Sequence, residues 1–309
     1  MTAGTADPAG FRAAGAGRRA GRDRLPWLLL GALVLAQICY PLTDGAARAR
    51  LTVATVLLGY LLSVGHALIS RGPRVAAALV LVTTGGGFAV EALGVATGFP
   101  FGRYGYSGAL GPELAGVPLV IPLAWTWMAW PGWLASVRLG TPSGDNRAAA
   151  GENRADPASS TRRLGRAGRR VLLAGIGLAA WDVFLDPQMV AEGYWTWYDR
   201  TPALPGLPGI PVGNYLGWLA VAVLLMALLD RTAGPAARRT AAGRDRPGDA
   251  PMYALYLWTY ASSVLAHAVF LGLPASAGWG ALAMGTVAVP LFARTVAAPR
   301  PGGTAAARW

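Results

Sequence analysis

Two carboxylic acids lie inside an apolar stretch of the chain that is long enough to cross a membrane. Asp182 and Asp186 stand in the segment WDVFLDPQ, and a helix would place them on one face because they are four residues apart. An ionisable residue at membrane depth costs about 2.5–3.5 kcal/mol on insertion scales, so it is a candidate for function. Two close carboxylates in a low dielectric cannot both ionise easily. We therefore expect at least one of them to hold a proton at neutral pH and to act as a proton donor.

Pro187 directly follows the second acid. Proline has no backbone N–H, and its ring would clash with the carbonyl of Val183 in a continued helix. We therefore expect the helix to kink or stop here and to leave a polar pocket beside the acids. Gln188, and Asn214 at the start of a later apolar span, are the amides available to hold a water molecule in that pocket.

Glu91 is a third acid in an apolar span, about one and a half turns from the end of that span. The topology predicted below puts all three acids in the same half of the membrane. We expect the deeper Asp182 to donate the proton, the shallower Asp186 to orient water, and Glu91 to share a proton with either. The alternative is a structural role, in which each acid takes part in an interhelical hydrogen bond.

Two loops combine aromatic residues with glycine and proline. They read GFPFGRYGYS over residues 98–107 and EGYWTWYD over residues 192–199. Trp and Tyr often form an interfacial belt, but this much turn chemistry favours loops that fold back over the helix ends. Aromatic faces also stabilise cations. The aromatic candidates for substrate binding are Phe99, Phe101, Tyr104, Tyr106, Trp181, Tyr194 and Trp195.

The elements that must position these residues are membrane helices. The chain has 309 residues and is 54% hydrophobic, and its apolar runs approach the ~20 residues that a bilayer crossing requires. We predict an all-α, polytopic, multi-pass protein of the cell membrane, with a helical domain over 26–297. Residues 1–25 and 298–309 are expected to be disordered tails, and residues 138–170 an Arg-rich solvated linker. Eight spans are predicted near 26–42, 51–70, 75–97, 114–137, 171–190, 214–230, 252–273 and 279–294.

The placement of arginine tests this segmentation. All 27 basic residues are arginine, and 23 of them fall in alternate segments that start with the N-terminal tail. By the positive-inside rule, both termini are then cytoplasmic. The loops 98–113 and 191–213 lie together on the other side. Because topology explains the net charge of +12, no nucleic-acid partner is expected.

Metal and redox chemistry are poorly supported by the composition. The chain has two histidines and one cysteine, whereas zinc and non-haem iron sites use several such ligands. We therefore expect no metal and no cofactor.

Several stretches together resemble the membrane carotenoid 1,2-hydratase family, which includes bisanhydrobacterioruberin hydratases and gamma-carotene 1'-hydratases. They are GFPFGRYGYS with the following Gly-Pro, Gly116–Pro118, Ile121–Trp125, Trp181–Gln188 and Gly209–Trp218. The resemblance implies addition of water across the terminal C1=C2 bond of an acyclic (ψ) carotenoid end, giving a tertiary 1-hydroxyl. It also implies a lipid-soluble substrate, contact with membrane lipids and other carotenoid-biosynthesis enzymes as partners.

The residues fit this reaction, because protonation at C2 gives a tertiary cation at C1 that water captures. The step needs an acid, a cation-stabilising pocket and one positioned water. Two other functions stay open at this point. A membrane prenyltransferase would use Asp182-x-x-x-Asp186 to bind a metal diphosphate, but a second Asp-rich motif is not found. A non-catalytic carotenoid-binding or transport protein would use the acids only to pair with Tyr hydroxyls.

Overall fold

The computed structural model describes residues 8–140, 157–234 and 247–297. Within these ranges the chain is predominantly helical, in agreement with the predicted all-α class. The helices are α1 (Pro8–Cys39), α2 (Gly45–Arg71), α3 (Pro73–Leu79), α4 (Gly86–Thr97), α5 (Ile121–Gly140), α6 (Pro157–Ala191), α7 (Val212–Thr232), α8 (Ala250–Leu265) and α9 (Pro274–Val296). One π-helical segment, Val80–Gly85, joins α3 to α4, and another, Ala266–Phe270, extends α8.

Six of the described helical segments are long and apolar enough to cross a membrane. They comprise the apolar part of α1, then α2, the α3–α4 rod, α6, α7 and α9. The two remaining predicted spans correspond to α5 and α8. Helix α5 carries four tryptophans and is buried along most of its length, so little of its surface is left to contact lipid. Helix α8 has only 16 residues before its π-helical segment. The number of eight spans stays a prediction.

Several element boundaries differ from those expected. The fourth predicted span, expected from residue 114, begins only at Ile121 as helix α5. The residues before it form a short hairpin of β2 (Glu113–Leu114) and β3 (Val117–Pro118). A turn at Ala115 and Gly116, both with positive φ, closes that hairpin. Helices α1 and α6 begin at Pro8 and Pro157, within the expected tail and linker. The remaining parts of those segments, residues 1–7, 141–156 and 298–309, lie outside the described residues.

We expected α6 to kink or stop at Pro187, and the expectation of a stop was wrong. The helix continues to Ala191. A proline inside a helix leaves the carbonyl four residues earlier without its usual N–H donor. Here the hydroxyl of Ser276, on α9, donates to that Val183 carbonyl at 2.8 Å. Neighbouring helices in membrane proteins commonly satisfy such carbonyls with Ser or Thr side chains, and α6 therefore passes through the proline.

The two aromatic loops lie together, as the predicted topology required. Strand β1 (Tyr104–Tyr106) in the first loop pairs antiparallel with β4 (Trp195–Trp197) in the second. Tyr104 faces Trp197, and Tyr106 faces Trp195. This two-stranded sheet covers the end of the bundle where α4 finishes and α7 begins. The loops are thus folded back over the helix ends and bring their aromatic side chains towards the acids.

Candidate active site

Helices α6 and α7 bring the two aspartates and one asparagine together. Asp182 and Asp186 lie on the same face of α6, and both are buried. Asn214, in the first turn of α7, is also buried and donates from Nδ2 to the Oδ2 atoms of both acids, at 3.1 Å for Asp182. Trp195, in β4, donates from Nε1 to Oδ1 of Asp186 at 3.2 Å. The expected stacking of the two acids is confirmed, and one amide bridges them.

Glu91, on α4, occupies a separate ring of hydrogen-bond donors. Tyr104 and Tyr106 donate to its Oε2 at 2.6 and 2.9 Å, and Trp125 donates from Nε1 to Oε1 at 3.0 Å. The carboxyl is only 3% exposed. Both of its oxygens therefore accept hydrogen bonds from neutral side chains of β1 and α5.

The tyrosines of this ring remain donors at any physiological pH. Burial and the neighbouring Glu91 carboxyl raise the pKa of both Tyr104 and Tyr106 well above the ordinary value of a phenol. Each phenol therefore keeps its proton and directs it at Glu91. Position 94 on α4 allows this approach, because a Cβ there would lie 2.8 Å from the Tyr104 hydroxyl oxygen. Glycine leaves that space open.

A cavity of about 50 Å³, here named the acid cavity, lies between these groups. Asp186 and Glu91 both line it, whereas Asp182 lies behind Asp186 and does not. Two carboxyl groups thus line a space that is otherwise mostly apolar and aromatic. The other predicted site residues on its wall are Phe101, Tyr104, Tyr106, Trp195 and Asn214.

Aromatic rings form a continuous wall of the acid cavity. The indoles of Trp125 and Trp218 stack with centroids 3.8 Å apart, and Phe101 lies 6.4 and 6.2 Å from them. Trp197, which also lines the cavity, packs on Tyr104 at 5.6 Å. Sequence reasoning did not select these three tryptophans. Trp125 and Trp218 lie within or at the end of segments that carry the family resemblance, and that was the available signal.

Besides Asp182, four predicted residues do not line the acid cavity. Phe99 is 69% exposed on the surface of its loop. Tyr194 is buried but lines a groove beside α2. Trp181 and Gln188 line a different cavity, between α1, α2, α6 and α8. Their positions on α6 are one or two residues from the acids, but the rotation of about 100° per helical residue turns them to another face.

No metal-binding constellation of three or more His, Cys, Asp or Glu side chains occurs in the described ranges of the chain. His66 and His267 lie far apart on α2 and after α8 and engage different partners. His66 accepts a hydrogen bond from Trp130 Nε1 at 3.0 Å, and His267 contacts Ser276 at 2.9 Å.

The chain was compared with known proteins. The family model described as carotenoid biosynthesis protein matches residues 51–287. Bisanhydrobacterioruberin hydratase from Haloarcula japonica is 34% identical over 142 residues, which make up 45% of this chain and 40% of that relative. No solved structure matches. Because the family model covers most of the chain, including every residue of the acid cavity, this protein belongs to the carotenoid biosynthesis protein family.

Proposed function

We propose that this protein is an enzyme of carotenoid biosynthesis that adds water to the terminal C1=C2 double bond of an acyclic (ψ) carotenoid end. The product carries a tertiary 1-hydroxyl. The observation that carries this proposal is a buried pair of carboxyl groups, one of which lines a small aromatic cavity. The name of the relative, a hydratase of a carotenoid, supports the same reaction.

Protonation of C2 is assigned to Asp186. Of the two aspartates bridged by Asn214, only Asp186 reaches the wall of the acid cavity. Asp182 is completely buried, and its Oδ1 has no hydrogen-bond partner among the described residues. A buried carboxylate without a cation beside it is costly, so the pair holds at least one proton. In this assignment Asp186 takes the role of proton donor that depth alone gave to Asp182, and the two carboxyl groups share one proton.

The cation formed at C1 is stabilised by its surroundings. Trp125 and Trp218 line the acid cavity, and the faces of their rings that are not stacked on each other are negative at their centres, which favours a cation. Glu91 adds a carboxyl group whose position is held by three donors. Groups that are already oriented need no rearrangement as the charge develops. The same groups bind the neutral alkene only weakly, so they favour the transition state over the substrate.

Water completes the reaction on the side of the carotenoid end that faces Asp186. An oxygen of water forms a bond to C1, and one of its protons returns to Asp186, which restores the acid. Protons and charge balance over the cycle, and the proposed reaction uses no redox cofactor and no metal. Asn214 keeps the two carboxyl groups close enough to exchange the proton between turnovers.

The direct test uses isotopically labelled water. Membranes that contain the protein are incubated with lycopene or another ψ-ended carotenoid in ¹⁸O-water, and the products are separated by mass. We expect a hydroxylated carotenoid whose new oxygen carries the label, in the absence of NAD(P)H and in the presence of chelators. Label that arrives from ¹⁸O₂ instead would identify a monooxygenase. Formation of a prenylated product, or binding without any product, would favour one of the other two functions.

We further propose that the helices cross the cell membrane eight times with both termini in the cytoplasm. The 23 arginines of the alternate segments support this orientation. Ion pairs on the predicted cytoplasmic side join α2 to the residue before α8, Arg71–Asp249, and α6 to α7, Arg170–Asp230. A reporter fused after Arg300 should lie in the cytoplasm, and one inserted near Ala203 should not. Both reporters on one side would overturn this topology.

A further inference from the structure

A second cavity, here named the α1–α8 cavity, adjoins the acid cavity. Its volume is about 110 Å³, against about 50 Å³ for the acid cavity. None of the three acids lines it. The two cavities share four wall residues, which are Thr52, Val56, Leu185 and Met189.

The α1–α8 cavity collects buried polar atoms that lack partners. The hydroxyls of Tyr40 and Thr55 and the indole N–H of Trp127 make no hydrogen bond to any described residue. All three side chains line this cavity and are at least nine-tenths buried. Buried polar groups are nearly always satisfied. An indole N–H can only donate, whereas a hydroxyl can donate and accept, so the missing ligand must at least accept hydrogen bonds.

His267 adds a further polar group to the same cavity. The hydroxyl of Ser276 donates to the Val183 carbonyl at 2.8 Å, so it accepts from Nδ1–H of His267 at 2.9 Å. The other ring nitrogen, Nε2, lies 3.3 Å from Oε1 of Gln188. Both side chains line the α1–α8 cavity. A polyene offers neither donors nor acceptors to such groups, but water offers two of each.

We propose that the α1–α8 cavity is a water chamber and that the reacting water enters the acid cavity past Thr52. This inference rests on the proposed hydratase function. The acid cavity is too small to store water once a carotenoid end fills it. Of the four shared wall residues only Thr52 is polar, and its hydroxyl donates to the Arg48 carbonyl at 2.9 Å, which leaves its oxygen free to accept from water.

A change in the water supply would alter the fate of the cation. In deuterated water, the acid delivers a deuteron, which forms a C2–D bond as the C1=C2 π bond breaks. Water then captures C1, or the cation loses a proton from C2 to a carboxylate and returns as a deuterated alkene. The ratio of deuterated alkene to hydrated product therefore reports water arrival separately from protonation.

Two reciprocal, nearly isosteric substitutions on α2 test the route. Thr52→Val should raise the ratio at least fivefold, while total deuteration at C2 changes less than twofold. Thr52→Ser and Val56→Thr should keep the ratio at or below that of the wild type. Val53→Thr, on the same helix but outside both cavities, is the control. An unchanged ratio in Thr52→Val, or an increase in Val56→Thr as well, overturns the route.

A second measurement does not depend on catalysis. Radiolytic hydroxyl footprinting modifies side chains that touch internal water. Tyr40 and Trp127 should be modified at least several times faster than Trp130, which is also buried but lies outside both cavities. Equal rates would overturn the water chamber. If the wild type forms no hydrated carotenoid while Tyr40 and Trp127 are modified rapidly, the proposed function fails and the chamber stands.

Discussion

Replacement of Asp186 by asparagine should abolish hydration while the protein stays folded. The amide keeps the size of the side chain but supplies no acidic proton. General acid catalysis contributes about 10²–10⁴-fold to a rate, and each factor of ten corresponds to about 1.4 kcal/mol of barrier. We therefore expect turnover to fall by at least about 100-fold, equivalent to roughly 3 kcal/mol or more.

The structural cost of the same substitution is smaller. The side-chain oxygen of the asparagine can still accept a hydrogen bond from Trp195 Nε1, which lies 3.2 Å from Oδ1 of Asp186 in the wild type. The new amide nitrogen would face the Nδ2 of Asn214, but Asn214 can rotate its amide and present its oxygen, which has no partner among the described residues. That rotation sacrifices one hydrogen bond to Asp182, a loss of about 1–3 kcal/mol. Folded proteins commonly tolerate this amount.

The assay measures hydrated product per folded protein, with folding followed by thermal unfolding in detergent. Asp199→Asn is the control, because it neutralises an exposed aspartate of the second aromatic loop that pairs with Arg103 outside the acid cavity. Asp182→Asn should reduce turnover less than Asp186→Asn. A larger loss in Asp182→Asn would restore the order of roles expected from depth. Near-normal turnover in Asp186→Asn, with the protein folded, would refute the mechanism.

Two further substitutions probe the groups around the acid pair. Glu91→Gln removes one acceptor oxygen from a carboxyl that receives hydrogen bonds from three donors. We therefore expect the unfolding free energy to fall by about 1–3 kcal/mol, as measured by thermal unfolding. We also expect turnover to fall at least tenfold. An unchanged unfolding temperature would show that the donor ring does not stabilise the fold. Gly94→Ala should push away the Tyr104 hydroxyl, only 2.8 Å from the added methyl, and lower turnover at least tenfold. Gly65→Ala, where nothing lies within 4 Å, is its control, and equal turnover in the two variants would contradict the argument.

Local features of the chain were enough to predict part of the site. The spacing of Asp182 and Asp186 predicted their common helical face, because the period of an α-helix is a local property. The turn-rich aromatic loops and the alternation of arginine predicted that both loops lie on one side, and the β1–β4 pairing agrees. The apolar composition predicted the all-α class, since a bilayer leaves the backbone few alternatives.

Contacts between distant elements decided the rest. The sequence predicted a kink or a stop at Pro187, but the helix continues, and the hydroxyl of Ser276 on another helix satisfies the freed carbonyl. The sequence favoured Asp182 as the proton donor because Asp182 lies deeper, yet the rotation of α6 against its neighbours turns Asp186 to the acid cavity. It also left Trp125 and Trp218 unassigned, because their stacking joins α5 to α7. Helix periodicity is encoded within one segment, whereas the rotation and packing of helices depend on side chains from every segment they touch.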